Sequence, residues 1–395
     1  MKKIKHPIFD IKNWRIVEKD EIFELFKKRE KLFERKRKGI WENDGSLSPL
    51  EFYCYLKARF GEPNGYMMLL KVPTVDNLIH WHYMLKSKNC YFDILGLNYR
   101  TEIHVDEAHN FKEREWKILI SKIIEDYKNY KKEMFKIKNS FEKWHIFINP
   151  YSRIKRIIDK YTERLIELDI ENIPLPRNPR TEKEIKEYVD KFRNIQKLYE
   201  EAVAIGMSLQ FLTPVFGEAF INLLMFILAK PEIRTEKRLL DNIMRQQIDV
   251  RIKTIHLNCI GFKKPIDASK EEFKNFHTLM NQRNIILHGS IEPKRLKIEE
   301  VYFDQGNIPL FTKEISSDEL VFTYSLKHIE PKIIINNVKI VKTFVKFVLN
   351  HLYPSIRRNV EIILEHPELG WCADKFRVGV ILPKTTSEII IPKKE

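Results

Sequence analysis

The fold of the C-terminal half is decided by the segment Asn281-Gln282-Arg283-Asn284-Ile285-Ile286-Leu287-His288-Gly289. It closes a predicted helix that begins near Lys270, and a glycine directly after the last residues is a common helix stop. Arg283 falls within an apolar stripe of this helix. The other residues of the stripe are Phe276, Leu279, Met280, Ile286 and Leu287. Because a guanidinium is always charged, this position predicts a bonding partner or a ligand for Arg283.

A polar stripe lies beside the apolar one. At about 100° per residue, four side chains of the same helix fall on one narrow face. These are His277, Asn281, Asn284 and His288. A solvated face more often carries Lys and Glu, so the stripe favours a lined cleft, in which His277 and Asn281 are candidate substrate-binding residues. A hydrogen-bonded surface or interface stripe is the alternative.

An upstream helix, predicted over Val215–Ala229, carries two polar residues on an otherwise apolar surface. Glu218 and Asn222 are four residues apart, so they share one helix face. Buried polar groups need partners, and a facing arginine is the obvious one. Both are further candidate substrate-binding residues. They also interrupt the apolar run from Phe211 to Ala229, which we interpret as a buried helix of a soluble bundle rather than a membrane span.

The motif Arg283-Asn284-Ile285-Ile286-Leu287-His288 resembles the signature of the HEPN superfamily. Members of that family carry an arginine, a polar residue directly after it, and a histidine that closes the motif near a helix end. The segment Gly217–Asn222 resembles the first core helix of such bundles. The resemblance covers at most residues 205–352.

The resemblance implies a helical bundle that dimerises and brings two motifs into one cleft. Many members are endoribonucleases that need neither a metal ion nor another cofactor, and members commonly act as toxins or antiviral effectors. It implies Arg283, Asn284 and His288 as catalytic residues, RNA as substrate, a homodimer, and an antitoxin or other regulatory partner. Arg283 and His288 lie about 140° apart on one helix, so two helices facing across a dimer would bring them together.

Two other functions fit the same sequence. One is a non-catalytic HEPN module that binds a nucleotide or assembles a complex through this cleft. The other is a basic nucleic-acid-binding protein that works through residues 1–200. The chain has 70 Lys+Arg against 55 Asp+Glu in 395 residues, with a net charge of +15. Such a charge favours polyanions, although lysine-rich solvated helix faces explain the same count.

The whole chain is predicted to be α+β, mainly α, with an all-α C-terminal part. Residues 1–173 form an α+β domain with a basic helix over Asp20–Lys38 and a small antiparallel sheet between residues 65 and 105. The predicted strands are Tyr66–Val72, Leu78–Leu85, Cys90–Leu95 and Tyr99–Val105. The Pro-rich segment 173–179 is the predicted boundary. Residues 180–366 form the HEPN-like domain with a hairpin insert at about 300–312, and 367–395 form a tail.

The cysteines and the N-terminus indicate a cytoplasmic protein. Cys54, Cys90, Cys259 and Cys372 are far apart in sequence and form no CxxC pair, which is typical of reduced, packed thiols. The N-terminal residues contain no apolar segment of the signal-peptide kind.

The histidines of the N-terminal part raise the possibility of a metal site. His80 and His82 alternate on a predicted strand, and His104 and His109 follow nearby. No spacing among them is diagnostic, so we predict no metal site.

Overall fold

The computed structural model describes residues 6–30, 39–69, 79–97, 100–105, 111–174, 179, 181–287, 300–312, 322, 324 and 329–381. The chain divides into two compact units. The first contains residues 1–144 and 372–375, and the second contains residues 145–371 and 376–381. Helices dominate, and one unit contains a small antiparallel sheet, so the predicted α+β, mainly α, fold class is confirmed.

The division between the units falls at residues 144–145, ahead of the Pro-rich segment that we predicted as the boundary. The helix Pro150–Leu168 precedes that segment, yet it packs on the helix Glu182–Leu228 of the second unit. Ile158 and Leu165 are buried in the shared core. The Pro-rich segment therefore connects two helices of one unit; its residues 175–178 lie outside the described residues.

In the first unit, a β-sheet and several helices share one hydrophobic core. Its elements are β1 (Arg15–Ile16), α1 (Lys19–Glu30), β2 (Gly39–Glu42), α2 (Pro49–Phe60), α3 (Tyr66–Leu69), β3 (Ile79–Ser87), β4 (Cys90–Leu97), β5 (Thr101–Val105) and α4 (Glu113–Asn139). The five strands are antiparallel in the order β1-β3-β4-β5-β2. The core joins side chains of the sheet to those of α2 and α4, including Phe52, Tyr83 and Leu119.

Three of the four predicted strands are present, and one prediction is wrong. The β3–β4 hairpin turns at Lys88 and Asn89, with Ser87 opposite Cys90 and Lys88 at a φ of 56°. Tyr66–Leu69 forms one helical turn instead of a strand. The prediction failed because a short apolar run has no periodicity that distinguishes a strand from a helix. Residues 70–78 lie outside the described residues, as do residues 31–38 of the predicted basic helix.

The second unit is mainly helical. Its elements are β6 (Trp144–Ile148), α5 (Pro150–Leu168), α6 (Glu182–Leu228), α7 (Pro231–Thr235), α8 (Lys237–Arg245), α9 (Ile248–Asn258), α10 (Glu271–Leu287), β7 (Val301–Phe303), β8 (Pro309–Phe311), α11 (Pro331–Leu349), α12 (Pro354–Glu365), β9 (Glu368–Cys372) and β10 (Arg377–Gly379). The short strands β6, β9 and β10 form one sheet, and β7 pairs with β8 as the predicted hairpin.

Helix α6 is the longest element and the centre of this unit. It starts with a capping box, in which Thr181 and Glu184 each accept a hydrogen bond from the other's backbone N–H. It then runs for 47 residues, so the separate helix predicted from Val215 is part of it. Pro214 removes one backbone donor, but buried residues on both sides, such as Leu209 and Phe220, keep the helix on the same core.

The apolar part of α6 also bears on membrane insertion. Among the described residues, α6 is the one helix long and apolar enough to cross a membrane, with a mean hydropathy of 1.9 over the most apolar window. Of that window, 56% is buried within the protein. Such burial is what the core helix of a soluble bundle shows, in agreement with the interpretation from Glu218 and Asn222.

Helices α6, α10 and α11 meet at Gly217. A Cβ atom at this glycine would lie 2.3 Å from Cε2 of Phe276 on α10. The Phe276 ring stacks on Phe344 of α11, with centroids 4.0 Å apart and an interplanar angle of 6°. The absence of a side chain at Gly217 therefore sets how closely α10 approaches the residues that follow on α6.

We predict that Gly217→Ala lowers the free energy of unfolding by about 1–3 kcal/mol, because the added methyl overpacks the contact with Phe276. A urea titration followed by circular dichroism measures the change. Combining it with Phe276→Leu, which opens space, should recover at least about 0.5 kcal/mol of that loss beyond additivity. Strictly additive effects of the two substitutions would contradict this account.

Candidate active site

Two arginines from different helices bind one carboxylate of α6. Arg251 on α9 donates from Nη2 to Oε1 of Glu218 at 2.7 Å, and from Nη1 to Oδ1 of Asn222. Arg283 on α10 donates from Nη1 and Nη2 to Oε2 of Glu218, at 3.2 and 3.5 Å. We call Glu218, Asn222, Arg251 and Arg283 the arginine cluster. It joins three helices through one acidic side chain.

The two arginines differ in burial. The Arg251 side chain is 6% exposed, whereas the Arg283 side chain is 18% exposed and its bonds to Glu218 are longer. Arg251 is therefore the structural anchor, and Arg283 is the more accessible cation. Nε of each arginine is buried and has no hydrogen-bond partner among the described residues. With two guanidinium groups on one carboxylate, the cluster carries a surplus positive charge and unused donors, which suit an anion.

We predicted one arginine opposite Glu218 and Asn222, and the structure has two, Arg251 and Arg283. Arg283 contacts Glu218, but Asn222 bonds to Arg251, which the sequence reasoning missed. The signal was available, because Arg251 lies among the apolar positions Ile252 and Ile255 of α9 just as Arg283 lies in the stripe of α10. Glu218 and Asn222, which we predicted to bind substrate, accept hydrogen bonds from these arginines.

The described part of the polar stripe lies at the surface. Asn281 and Asn284 are exposed and His277 is half-buried. His277 Nδ1 lies 3.4 Å from Nδ2 of Asn281 and its ring stacks on Phe273. These side chains lie on the outer side of α10. Among the described residues, none of them forms a hydrogen bond to the arginine cluster.

Helix α9 faces the start of the polar stripe with charged groups. Burial of the Asp249 carboxyl acts to raise its pKa, but the hydrogen bond from Lys253 and the nearby His277 hold the pKa below its usual range. The Lys253 ammonium also lies 5.7 Å from the ring centroid of Phe273. Helix α9 therefore supplies Arg251 to the interior and an ion pair beside His277 at the surface.

The third predicted catalytic residue, His288, lies outside the described residues, as does the side chain of Ile286. Helix α10 is described as far as Leu287, whose side chain is exposed. Its apolar residues Phe276, Leu279 and Met280 are buried, so the inward face of the helix agrees with the predicted apolar stripe as far as Arg283.

The histidines of the first unit have partners within its sheet. His82 Nε2 lies 2.9 Å from Oδ1 of Asp93, and His104 Nε2 lies 2.6 Å from Oε2 of Glu102. A bulge next to His80 leaves that residue exposed while His82 is fully buried, so the two do not form the pair that strict alternation predicts. Among the described residues, no group of three or more His, Cys, Asp or Glu side chains is placed to hold a metal ion.

All four cysteines are buried free thiols, in agreement with the packed thiols expected from their spacing.

Comparisons of the chain with protein-family models, with curated proteins and with solved structures find no match. The HEPN resemblance therefore remains an inference from the motif and its helical surroundings.

We predict that the two arginines contribute differently to stability. Arg251→Met should lower the free energy of unfolding by about 2–4 kcal/mol, because it removes the most buried cation of the cluster and leaves Asn222 without its donor. Arg283→Met should cost less than about 1 kcal/mol, since its pair is longer and more exposed. Urea titrations of both variants measure the difference, and equal losses would contradict the assignment of Arg251 as the anchor.

Proposed function

We propose that the protein is a metal-independent endoribonuclease of the HEPN type. The observation that carries the proposal is the arginine cluster. The arginine of the HEPN-like motif is held by a carboxylate on α6, keeps partial access to solvent, and shares that carboxylate with a second, buried arginine. A loosely paired guanidinium with surplus positive charge around it suits a phosphodiester as ligand.

Arg283 holds the scissile phosphate in this mechanism. Its bonds to Glu218 are long enough to exchange for a phosphate oxygen, while Arg251 keeps the carboxylate neutralised. Charge that builds on the phosphate oxygens during cleavage is stabilised by the same guanidinium. Asn284 follows Arg283 on the exposed side of α10 and positions the phosphate by hydrogen bonding.

His288 performs the proton transfers, for which an imidazole is suited near neutral pH. It takes the proton of the RNA 2′-OH, whose oxygen then attacks the adjacent phosphorus. The bond between phosphorus and the 5′-oxygen breaks, and that oxygen receives the proton that the same imidazole took up in the first step. The products are a 2′,3′-cyclic phosphate and a 5′-hydroxyl, and the reaction consumes no water, metal ion or other cofactor.

The proposal includes a homodimer, because the five-residue spacing of Arg283 and His288 predicts directions about 140° apart on an ideal helix. The β7–β8 hairpin supports a protein contact. Its apolar side chains, Val301, Tyr302, Phe303, Leu310 and Phe311, are all exposed. An exposed cluster of large apolar side chains marks an interaction site more often than a free surface.

The biological role that fits such an enzyme is a cytoplasmic toxin or antiviral effector. An unregulated endoribonuclease harms its own cell, so an antitoxin or another regulatory partner belongs to this proposal. His277 and Asn281 remain candidates for contacts to the RNA on either side of the cut, because Asn281 is exposed and the half-buried His277 lies beside it.

We predict that the purified protein cleaves single-stranded RNA in EDTA, and that Arg283→Ala and His288→Ala each reduce the rate at least about 100-fold. Mapping of RNA ends should give 2′,3′-cyclic phosphates and 5′-hydroxyls. Lys274→Ala is the matched control, since this exposed lysine lies on the same helix away from the arginine cluster. Cleavage that persists in His288→Ala, or that disappears with EDTA, would refute the mechanism.

We predict that the active form is a dimer with a composite site. When Arg283→Ala and His288→Ala chains are co-expressed with different tags, the mixed dimer should recover about half of the wild-type activity. One of its two sites then retains both an intact arginine and an intact histidine. Light scattering establishes the dimer. A strict monomer, or a mixed dimer as inactive as its parents, would rule out the composite site.

A non-catalytic HEPN module is the second candidate function. It is favoured by the direct bond between Arg283 and Glu218, which could keep the arginine in a purely structural role. The cleavage assay separates the two, because the second candidate predicts no RNA cleavage and no effect of His288→Ala.

A further inference from the structure

A cavity of about 290 Å³ lies between α2 and α4 of the first unit. Its lining residues are Glu51, Cys54, Tyr127, Lys128, Lys131, Met134, Phe135 and Lys138. All of them belong to these two helices, so the cavity is built within one unit. Its volume is near the lower end of the range of about 300–1,000 Å³ for small-molecule sites, which suits one planar ring system.

The floor of the cavity is neutral and largely apolar. Burial raises the pKa of the Cys54 thiol above its usual range, so the thiol stays protonated. Burial also raises the pKa of Tyr127, whose hydroxyl is buried and has no hydrogen-bond partner among the described residues. Because the hydroxyl has almost no accessible surface, Tyr127 contributes its ring rather than its hydroxyl to the lining.

The rim is basic and carries an exposed aromatic ring. Lys128, Lys131 and Lys138 are exposed, and none has an ion-pair partner within the described part of the chain. Phe135 lies between them on α4, and its side chain is 66% exposed. We call these four residues the α4 ridge. Glu51 is the one carboxylate of the lining, so the positive charge of the site prevails.

We propose that the α4 ridge and its cavity bind single-stranded RNA, with one base in the cavity, a neighbouring base stacked on Phe135, and the lysines on the phosphates. Single-stranded nucleic acid is recognised by this combination of aromatic platforms and a basic track. The cavity and the ridge form one continuous surface, because Lys128, Lys131, Phe135 and Lys138 all line the cavity.

The ridge has a geometry that favours a strand over a compact anion. Lys128 and Lys138 are separated by about 15 Å along the helix axis at 1.5 Å per residue, which exceeds the size of one phosphate. An exposed phenylalanine between the lysines gives no advantage in binding inorganic phosphate, but it gives one in stacking a base. The site is distinct from the arginine cluster, which belongs to the other unit.

The test uses the full chain and a fluorescein-labelled single-stranded 2′-O-methyl oligouridine, whose binding is measured by fluorescence anisotropy over a series of salt concentrations. Methylation blocks the 2′-oxygen from attacking phosphorus, so binding is measured whether or not the proposed ribonuclease activity exists. Failure here and failure of the ribonuclease proposal are therefore separate results.

The variant Lys128→Glu/Lys131→Glu/Lys138→Glu should weaken binding and reduce the slope of log K against log salt by about 2, at about 0.7 per phosphate contact. The charge-matched control is Lys183→Glu/Lys186→Glu/Lys191→Glu, three exposed lysines of α6. It should leave the slope unchanged. Phe135→Ala should weaken binding at least about fivefold with an unchanged slope, because it removes stacking and no charge.

Several results would overturn the proposal. They are absence of binding by the wild type, equal effects of the two lysine triples, and no effect of Phe135→Ala. Tighter ridge-dependent binding of duplex RNA, of phosphatidylserine vesicles or of polyglutamate would assign the surface to another partner. The substituted side chains are exposed, and circular dichroism should show that every variant is folded like the wild type.

Discussion

The second unit depends on one carboxylate that two arginines share. Glu218 lies on an otherwise apolar part of α6, and a carboxylate there is tolerated because Arg251 and Arg283 bind its two oxygens separately. Each arginine is likewise tolerated in its own helix because Glu218 is present. Three helices that are far apart in sequence are thus held at one point, and the group held least tightly, Arg283, is the one that can serve a ligand.

Close packing beside the arginine cluster sets the geometry of the ion pair between Glu218 and Arg283. Gly217 precedes Glu218 and lets the Phe276 ring lie directly against α6, while Phe344 stacks on the same ring. A larger residue at Gly217 would push α10 outward and with it Arg283. The packing of Phe276 on Gly217 therefore sets the distance between α6 and α10 that the ion pair of Arg283 and Glu218 requires.

The two units present positive charge in different ways. In the second unit the cations of the arginine cluster are paired and mostly buried, which suits a single phosphate held in a fixed position. In the first unit the lysines of the α4 ridge are exposed around an apolar cavity, which suits a strand held at several points. In the proposed ribonuclease, the arginine cluster would act at the cut and the α4 ridge would hold the strand.

The sequence by itself determined the local features: the β7–β8 hairpin, the mainly helical fold, and the need of Arg283 for a partner. These follow from rules that act within a few residues along the chain. Only the tertiary structure decided that Arg251 joins the cluster, that β1 and β2 complete the sheet, and that α5 belongs to the second unit. These pairings join residues far apart in sequence, and a local pattern shows that a buried charge needs a partner without showing which residue packing brings to it.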